Sequence, residues 1–358
     1  MHIAKESIFK SAVRSFFNTL LGMIGIIIGV VIILAISFSF SSPYTNSDRS
    51  IAADIMPDQH GNTELLSETS NVILRLDITG IIGDRDLYGE LVEGYLRSSR
   101  TGVFKNDRVK GIILYINSPG GSAVDSDVIY RALIRYKEKY KIPIFAYSPG
   151  LMASGGYYIA CAADKINCSP VAICGSVGVK IGPFFNFWDF MQKYGINSVT
   201  LTEGKYKEKY PSFSKISDES DKSAPYQDLI VATSDMYKIF VGIVTNARGE
   251  NGLTEKLLID QYGAQVFAGG MAQTYGYVDN GSTSYQDTLV ELVKEANLDQ
   301  TPYQVIRLYH KRAPIQDLMT GQLDIWNQKI NEVLFGISSP KRWDNQMLFY
   351  YDAKDHIQ

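Results

Sequence analysis

Hydrophobic and polar positions along the chain fall into distinct regimes. From Leu20 to Ile36 no polar side chain occurs, and Phe38 and Phe40 extend the run. About 20 apolar residues at a 1.5 Å rise span the ~30 Å hydrocarbon core of a bilayer. A cleaved secretory leader has a shorter apolar region, about 7–15 residues, and ends in an A-x-A-like site. Here the run is longer and ends in Ser37-Phe38-Ser39-Phe40-Ser41-Ser42-Pro43. The pattern predicts an uncleaved anchor over residues 16–41. Lys5, Lys10 and Arg14 precede it, so the positive-inside rule puts residues 1–15 in the cytoplasm and the bulk of the chain across the membrane.

Residues 42–70 are rich in Ser, Asn, Asp, Gln and Thr without apolar periodicity and read as a linker. From residue 71 to about 300, apolar runs of strand length alternate with helical faces. Strands are predicted over 72–78, 109–116, 142–147, 165–168, 171–179 (interrupted at Gly175-Ser176) and 196–201. Helices are predicted over 87–98, 123–140, 154–163, 184–194, 226–247, 254–261 and 285–296. Strand alternating with helix implies βαβ units and a parallel sheet covered on both faces. Residues 301–358 are less patterned, although 315–335 suits an amphipathic helix. No internal repeat occurs, so one unit carries the chemistry.

Composition excludes more than it selects. The 45% hydrophobic and 20% charged content is ordinary for a globular chain. A net charge of -3 argues against nucleic acid as a partner, since phosphate binding needs a basic surface. The three cysteines, Cys161, Cys168 and Cys174, form no C-x-x-C pair and suggest neither a disulfide framework nor a zinc site. Small buried hydrophobes are the expectation for all three.

Three segments carry candidate chemistry. Asn117-Ser118-Pro119-Gly120-Gly121-Ser122 joins a buried strand to a helix, where glycines free backbone N–H groups to face a phosphate or an oxyanion. Gly150-Leu151-Met152-Ala153-Ser154-Gly155-Gly156 puts a serine between a small residue and two glycines at a helix start. It is not a G-x-S-x-G elbow, because position 152 is Met. The histidines, His2, His60, His310 and His356, all lie outside 71–296. A Ser-His-Asp triad within that region is therefore not expected, and lysine is the remaining common base for a serine. Thr202-Glu203-Gly204-Lys205-Tyr206-Lys207-Glu208-Lys209-Tyr210 supplies Lys205, Lys207 and Lys209, among which spacing does not choose.

Together, Asn117-Ser118-Pro119-Gly120-Gly121, Ser154-Gly155-Gly156-Tyr157-Tyr158, Gly175-Ser176-Val177-Gly178-Val179 and Gly204-x-x-Lys207 resemble the signal peptide peptidase A (protease IV) family, single-copy type, in order and separation. The resemblance covers about 72–296 and implies a crotonase-like, Clp-protease-like α/β fold: a parallel sheet with flanking helices, here preceded by one transmembrane helix. It implies a Ser-Lys dyad with Ser154 as nucleophile, Lys207 as general base and Ser176 orienting the lysine. The oxyanion hole falls on Gly120 and Gly121, with Gly155 as second donor. It further implies a peptidase domain over 71–300, a 301–358 extension of unassigned role, peptide substrates left by signal-peptide cleavage, and a homo-oligomer whose neighbouring protomers share each site. The membrane lipid is met through the N-terminal helix, and no cofactor or metal is expected. Two other readings exist: a crotonase-like enzyme acting on acyl-CoA, which would need carboxylates as acid and base, and a non-catalytic membrane scaffold.

Overall fold

The computed structural model describes residues 8–40, 51–64, 66–67, 69–204, 207, 210, 212–216 and 226–310. The expected 315–335 helix and most of the C-terminal extension lie outside the described residues. The chain divides into two units, the first ending at residue 50. In the first, α1 (Ile8–Phe40) runs for 33 residues, about 50 Å at 1.5 Å each. Its most apolar window, Val13–Val30, is long enough to cross a membrane. Phe16, Leu21, Ile26 and Ile27 are exposed on it. That surface suits lipid, because a water-facing helix gains nothing from apolar side chains all round.

The second unit is an α/β domain. Its strands are β1 (Ile51–Met56), β2 (Asn71–Thr79), β3 (Val109–Asn117), β4 (Ile144–Ser148), β5 (Leu151–Ala153), β6 (Lys165–Cys168), β7 (Ile173–Gly175), β8 (Val266–Ala268) and β9 (Tyr303–His310). Its helices are α2 (Gly89–Ser98), α3 (Ala123–Tyr140), α4 (Gly155–Ala160), α5 (Trp188–Lys193), α6 (Gln227–Arg248), α7 (Gly269–Thr274) and α8 (Tyr285–Glu295). A six-stranded sheet runs β1-β9-β2-β3-β4-β6, parallel throughout except for β1 against β9. A small sheet, β5-β7-β8, sits at the ends of β3 and β4.

Side-chain alternation explains the layers. Val72, Leu74, Leu76 and Ile78 of β2, with Ile112, Leu114 and Ile116 of β3, bury one face beneath residues of α2, α3 and α4. Ile73, Ile113 and Phe145 bury the other against Leu289, Leu292 and Val293 of α8. Period-2 alternation sends successive residues to opposite faces, and both faces are apolar because both are covered. Ser122 caps α3 by accepting from the Asp125 N–H, and Ser284 and Asp287 form a capping box on α8.

Three expectations change. Residues 51–56, where the sequence suggests a linker, and 303–310, where it suggests an extension, form β1 and β9, so the sheet extends past 71–300 at both ends. Gln304, Arg307 and His310 hide β9 from a hydrophobicity reading. Arg307 is nonetheless paired, with Asp54 at 2.7 Å and Asp77 at 3.5 Å. Residues 196–201 form no strand: Val199 and Leu201 stand 83% and 92% exposed. A strand requires a neighbour to take its N–H and C=O groups, and none pairs there among the described residues. The 254–261 helix appears as a π-helical turn, Leu257–Tyr262.

Candidate active site

The Asn117–Ser122 turn leaves β3 and is pinned from both sides. Ser118 donates its N–H to the Leu151 carbonyl at 2.7 Å and accepts the Ala153 N–H on its own carbonyl at 3.1 Å. Its Oγ donates to the Gly80 carbonyl at 2.6 Å and accepts the Gly120 N–H at 3.1 Å. Leu151 donates to Asn117 Oδ1 at 3.1 Å. The Gly120 carbonyl accepts from Ile82. Of the expected glycine pair, Gly120 is thus spent on the turn itself. The Gly121 N–H has no partner among the described residues. Gly121 has φ +154, and a Cβ there would strike the Ile82 carbonyl oxygen at 2.1 Å.

Ser154 follows β5 and precedes α4. It has φ 51 and ψ -121, a region that L residues avoid at a cost of about 1–3 kcal/mol. Its N–H donates to the Gly175 carbonyl at 2.9 Å. A serine at a helix start ordinarily caps the first turn with its hydroxyl, but the Ser154 side chain makes no such bond. Its Oγ is therefore left free of the fold. The Gly155 N–H is the first of α4 and has no intrahelical acceptor. Close packing requires both glycines that follow: a Cβ on Gly155 would meet Ser126 Oγ at 2.3 Å, and one on Gly156 would meet the Ser118 carbonyl oxygen at 3.1 Å. A Cβ on Gly120 would meet Ser154 Cβ at 2.7 Å and the Gly155 nitrogen at 2.8 Å. The turn thus presses its backbone against the serine.

Two tyrosines anchor α4 from below. Tyr157 donates to the Tyr277 carbonyl and Tyr158 to Asp127 Oδ1, both at 2.7 Å. Burial raises the Tyr158 pKa, and its hydrogen bond to the Asp127 carboxylate adds to this, so the phenol remains a neutral donor.

Ser176 is one residue past Gly175, which pairs with Ala153 across β5 and β7. The register sets Ser176 beside Ser154. Its φ is also positive, at 55, and its N–H donates to the Gln265 carbonyl at 2.8 Å. Past Ser176, residues 177–181, Phe184 and α6 line a cavity of about 780 Å³. Its walls are largely apolar, with Val177, Val179, Ile181 and Phe184 facing Ile230 and Tyr237.

Lys207 is exposed, its N–H donating to the Gly204 carbonyl at 3.2 Å. Lys205 and Lys209 lie outside the described residues. Within the single chain, no hydrogen bond or ion pair joins Lys207 to either serine among the described residues. The structure therefore brings Ser154, Ser176, Gly120, Gly121 and Gly155 together and leaves the Lys207 side chain exposed to solvent. No group of three or more His, Cys, Asp or Glu positioned for a metal occurs among the described residues. Sequence reasoning missed Ser118 Oγ and the carbonyls of Gly175 and Gln265. The first was visible within Asn117-Ser118-Pro119-Gly120-Gly121. The two carbonyls emerge only from strand pairing.

Residues 136–299 match the family described as Peptidase family S49. A protein of Enterococcus faecium assigned as signal peptide peptidase SppA is 29% identical over 253 residues, covering 67% of this chain and 70% of that protein. A protein of Methanocaldococcus jannaschii assigned as a protease is 31% identical over 194 residues, covering 54% of this chain and 58% of its own length. A solved ClpP1 variant from Listeria monocytogenes superimposes with a TM-score of 0.38 at 16% identity, covering 61% of this chain and 94% of that one.

Proposed function

Because the chain belongs to the signal peptide peptidase A family of serine peptidases, peptidase family S49, we propose that it is a membrane-anchored endopeptidase working through Ser154 and Lys207. The observation that carries this reading is Ser154 itself: a strained residue whose hydroxyl the fold does not use, beside two backbone N–H groups that are also unused. Strain at a non-glycine residue persists where surrounding bonds hold it, and it clusters at functional sites.

In this reading Ser154 Oγ attacks a peptide carbonyl while the neutral Lys207 amine takes its proton. The oxyanion receives the Gly121 and Gly155 N–H groups, and Gly120 holds the turn against the serine. Removal of one such donor typically costs about 10²–10³ in kcat. The Lys207 ammonium then protonates the leaving amine, and water releases the acyl group from Ser154. Ser176 orients the amine.

A neutral lysine needs a desolvated setting, and Lys207 is exposed in one chain. A second copy supplies the cover. Exposed Phe185, Phe190, Val199 and Leu201 on the same stretch favour such an association, with each site then assembled from two protomers. The apolar cavity next to Ser176 suits extended, apolar peptides such as the remnants of cleaved signal peptides. An enzyme held by α1, with its domain on the extracytoplasmic side, would meet them there.

Labelling with a fluorophosphonate tests the nucleophile. The modified tryptic fragment is expected to be 142–165, with the label on Ser154, and Ser154→Ala should lose labelling and peptidase activity together. Labelling elsewhere, or an active Ser154→Ala enzyme, overturns the assignment.

A further inference from the structure

The segment that carries Lys207 is fastened to the domain just beyond it. Among the described residues, the backbone of 204–210 makes one hydrogen bond, from Lys207 to Gly204, and that bond closes a turn within the segment. Three residues after Lys207 comes Tyr210, whose hydroxyl donates to Asp228 Oδ2 at 2.6 Å. Asp228 lies in the first turn of α6, and its Oδ1 accepts the Leu229 N–H at 3.1 Å, so the acceptor is itself held. The Tyr210 ring stacks on Tyr226 and Phe184, with centroids 5.6 Å and 6.4 Å away and planes 12° and 23° apart. Tyr226 and Phe184 stack on each other at 5.0 Å, and both line the apolar cavity past Ser176. The chain stays fastened after Tyr210. The Ser212 carbonyl accepts the Phe187 N–H at 2.7 Å, Phe213 stacks on Phe187 at 5.9 Å, and the Ser214 carbonyl accepts from Asn186 Nδ2 at 3.1 Å.

An exposed phenol has water for a partner and needs no carboxylate. The Tyr210 hydroxyl nonetheless makes a short, charge-assisted bond. That bond raises the Tyr210 pKa, so the hydroxyl remains a donor at alkaline pH.

We propose that Tyr210 is a positioning residue for Lys207: its bond to Asp228 and its place on the Phe184–Tyr226 stack hold the lysine segment against α6, where the amine is presented to a serine. The proposal rests on the catalytic reading above. In this role Tyr210 takes no proton and touches no reacting atom.

The physical argument is one of reach. Three residues of chain span at most about 10 Å, so little slack separates the anchor from the base. A lysine side chain is long and flexible, and its amine must come within about 3 Å of the serine hydroxyl. Fastening the segment shrinks the volume the amine samples, and correct placement is worth rate without any new contact to substrate. Because Phe184 and Tyr226 belong to the cavity wall, the base and the apolar pocket share one support.

Steady-state kinetics of the full-length protein in detergent, on an apolar fluorogenic peptide, tests the assignment. Tyr210→Phe keeps the ring and removes the bond; kcat should fall about 10-fold with KM within about twofold of wild type. Tyr210→Ala removes the stack as well and should lower kcat about 100-fold. Asp228→Asn retains an oxygen acceptor and should keep most of the wild-type kcat, whereas Asp228→Ala should match Tyr210→Phe. The double variant Tyr210→Phe/Asp228→Ala should lose no more than either single, since one bond is broken only once. Tyr210 is 37% exposed, so each variant should fold with a Tm close to wild type. A second readout separates positioning from general support: the rate at which a fluorophosphonate labels Ser154. Tyr210→Phe should slow labelling in the wild-type background and add nothing in the Lys207→Ala background. A wild-type kcat in Tyr210→Phe and Tyr210→Ala, a loss confined to KM, or a further slowing of labelling without Lys207 overturns the proposal. An active Lys207→Ala enzyme sinks the catalytic reading and the proposal with it, whereas an inactive one beside a wild-type-like Tyr210→Ala sinks the proposal alone.

Discussion

Gly120→Ala isolates the contact between the turn and Ser154. The added Cβ would lie 2.7 Å from Ser154 Cβ, 2.8 Å from the Gly155 nitrogen and 3.1 Å from the Ala153 carbonyl oxygen. Ordinary contact begins near 3.4 Å, so the two backbones must separate by about 0.7 Å. All three obstacles are backbone or Cβ atoms, with no flexible side-chain end to swing away. Overpacking costs about 1–3 kcal/mol, and φ +99 adds about 1–2 kcal/mol for an L residue. A stability of about 5–15 kcal/mol survives a loss of that size, so the variant should fold with a lowered Tm. Catalysis should suffer far more. A 1 Å misplacement can cost about 10² in rate, and kcat/KM on an apolar fluorogenic peptide should fall at least that far. Gly61→Ala is the matched control, with φ +82 and nothing within 4 Å of its Cβ. It should lower Tm modestly and leave kcat/KM unchanged. A folded Gly120→Ala enzyme within a few-fold of wild-type kcat/KM would refute the claim that this turn shapes the site.

Three further outcomes follow from the same geometry. Ser154→Gly should abolish peptidase activity yet relieve the positive φ, raising Tm by about 2–4 °C in a scanning measurement; Ser154→Ala should lose activity without that gain, and equal Tm values would deny the strain. Inactive Ser154→Ala and Lys207→Ala proteins, mixed under conditions where native mass spectrometry detects subunit exchange, should regain part of the activity; exchange without recovery places the dyad within one protomer. Asp279 contacts the buried Arg248 at 2.8 Å. Burial alone would raise the Asp279 pKa, but the Arg248 guanidinium and the Ile166 N–H outweigh it and hold the carboxyl below its ordinary value. A depressed carboxyl pKa stabilises the fold above the unfolded value of about 3.9 and loses that contribution as pH falls. The denaturation gap between wild type and Asp279→Asn should therefore be widest above about pH 4 and narrow toward more acid pH, and a gap independent of pH would count against the pair.

Much of this site was legible because its chemistry is local. Gly-Gly after Ser154, and Pro-Gly-Gly after Ser118, are readable as turns before any tertiary contact is known. The α3 helix was legible to the residue, 123–140, because Ser122 caps it and Lys141 in a left-handed conformation ends it. Which glycine keeps a free N–H was not legible, since that depends on Ser118 Oγ reaching Gly120. β1 and β9 escaped because partly covered, charge-bearing strands lack a clean alternation. The stretch over 196–201 misled in the opposite direction: Ile196, Val199 and Leu201 have the composition of a strand but face outward in the single chain.

The pairing of β1 with β9 has a mechanical side. Ile51 lies opposite His310, so the end of the domain nearest the tether and the start of the C-terminal tail sit on one edge of the sheet. A pull on the tether loads six residues of an outermost strand first. Two strands, β9 and β2, stand between that load and β3, from which the turn at Gly120 and Gly121 springs. Peeling β1 would uncover β9 and leave the ladder of β2, β3, β4 and β6 intact. In that order the outer strand gives way first, and the strand that bears the glycine turn keeps its own partners on both sides.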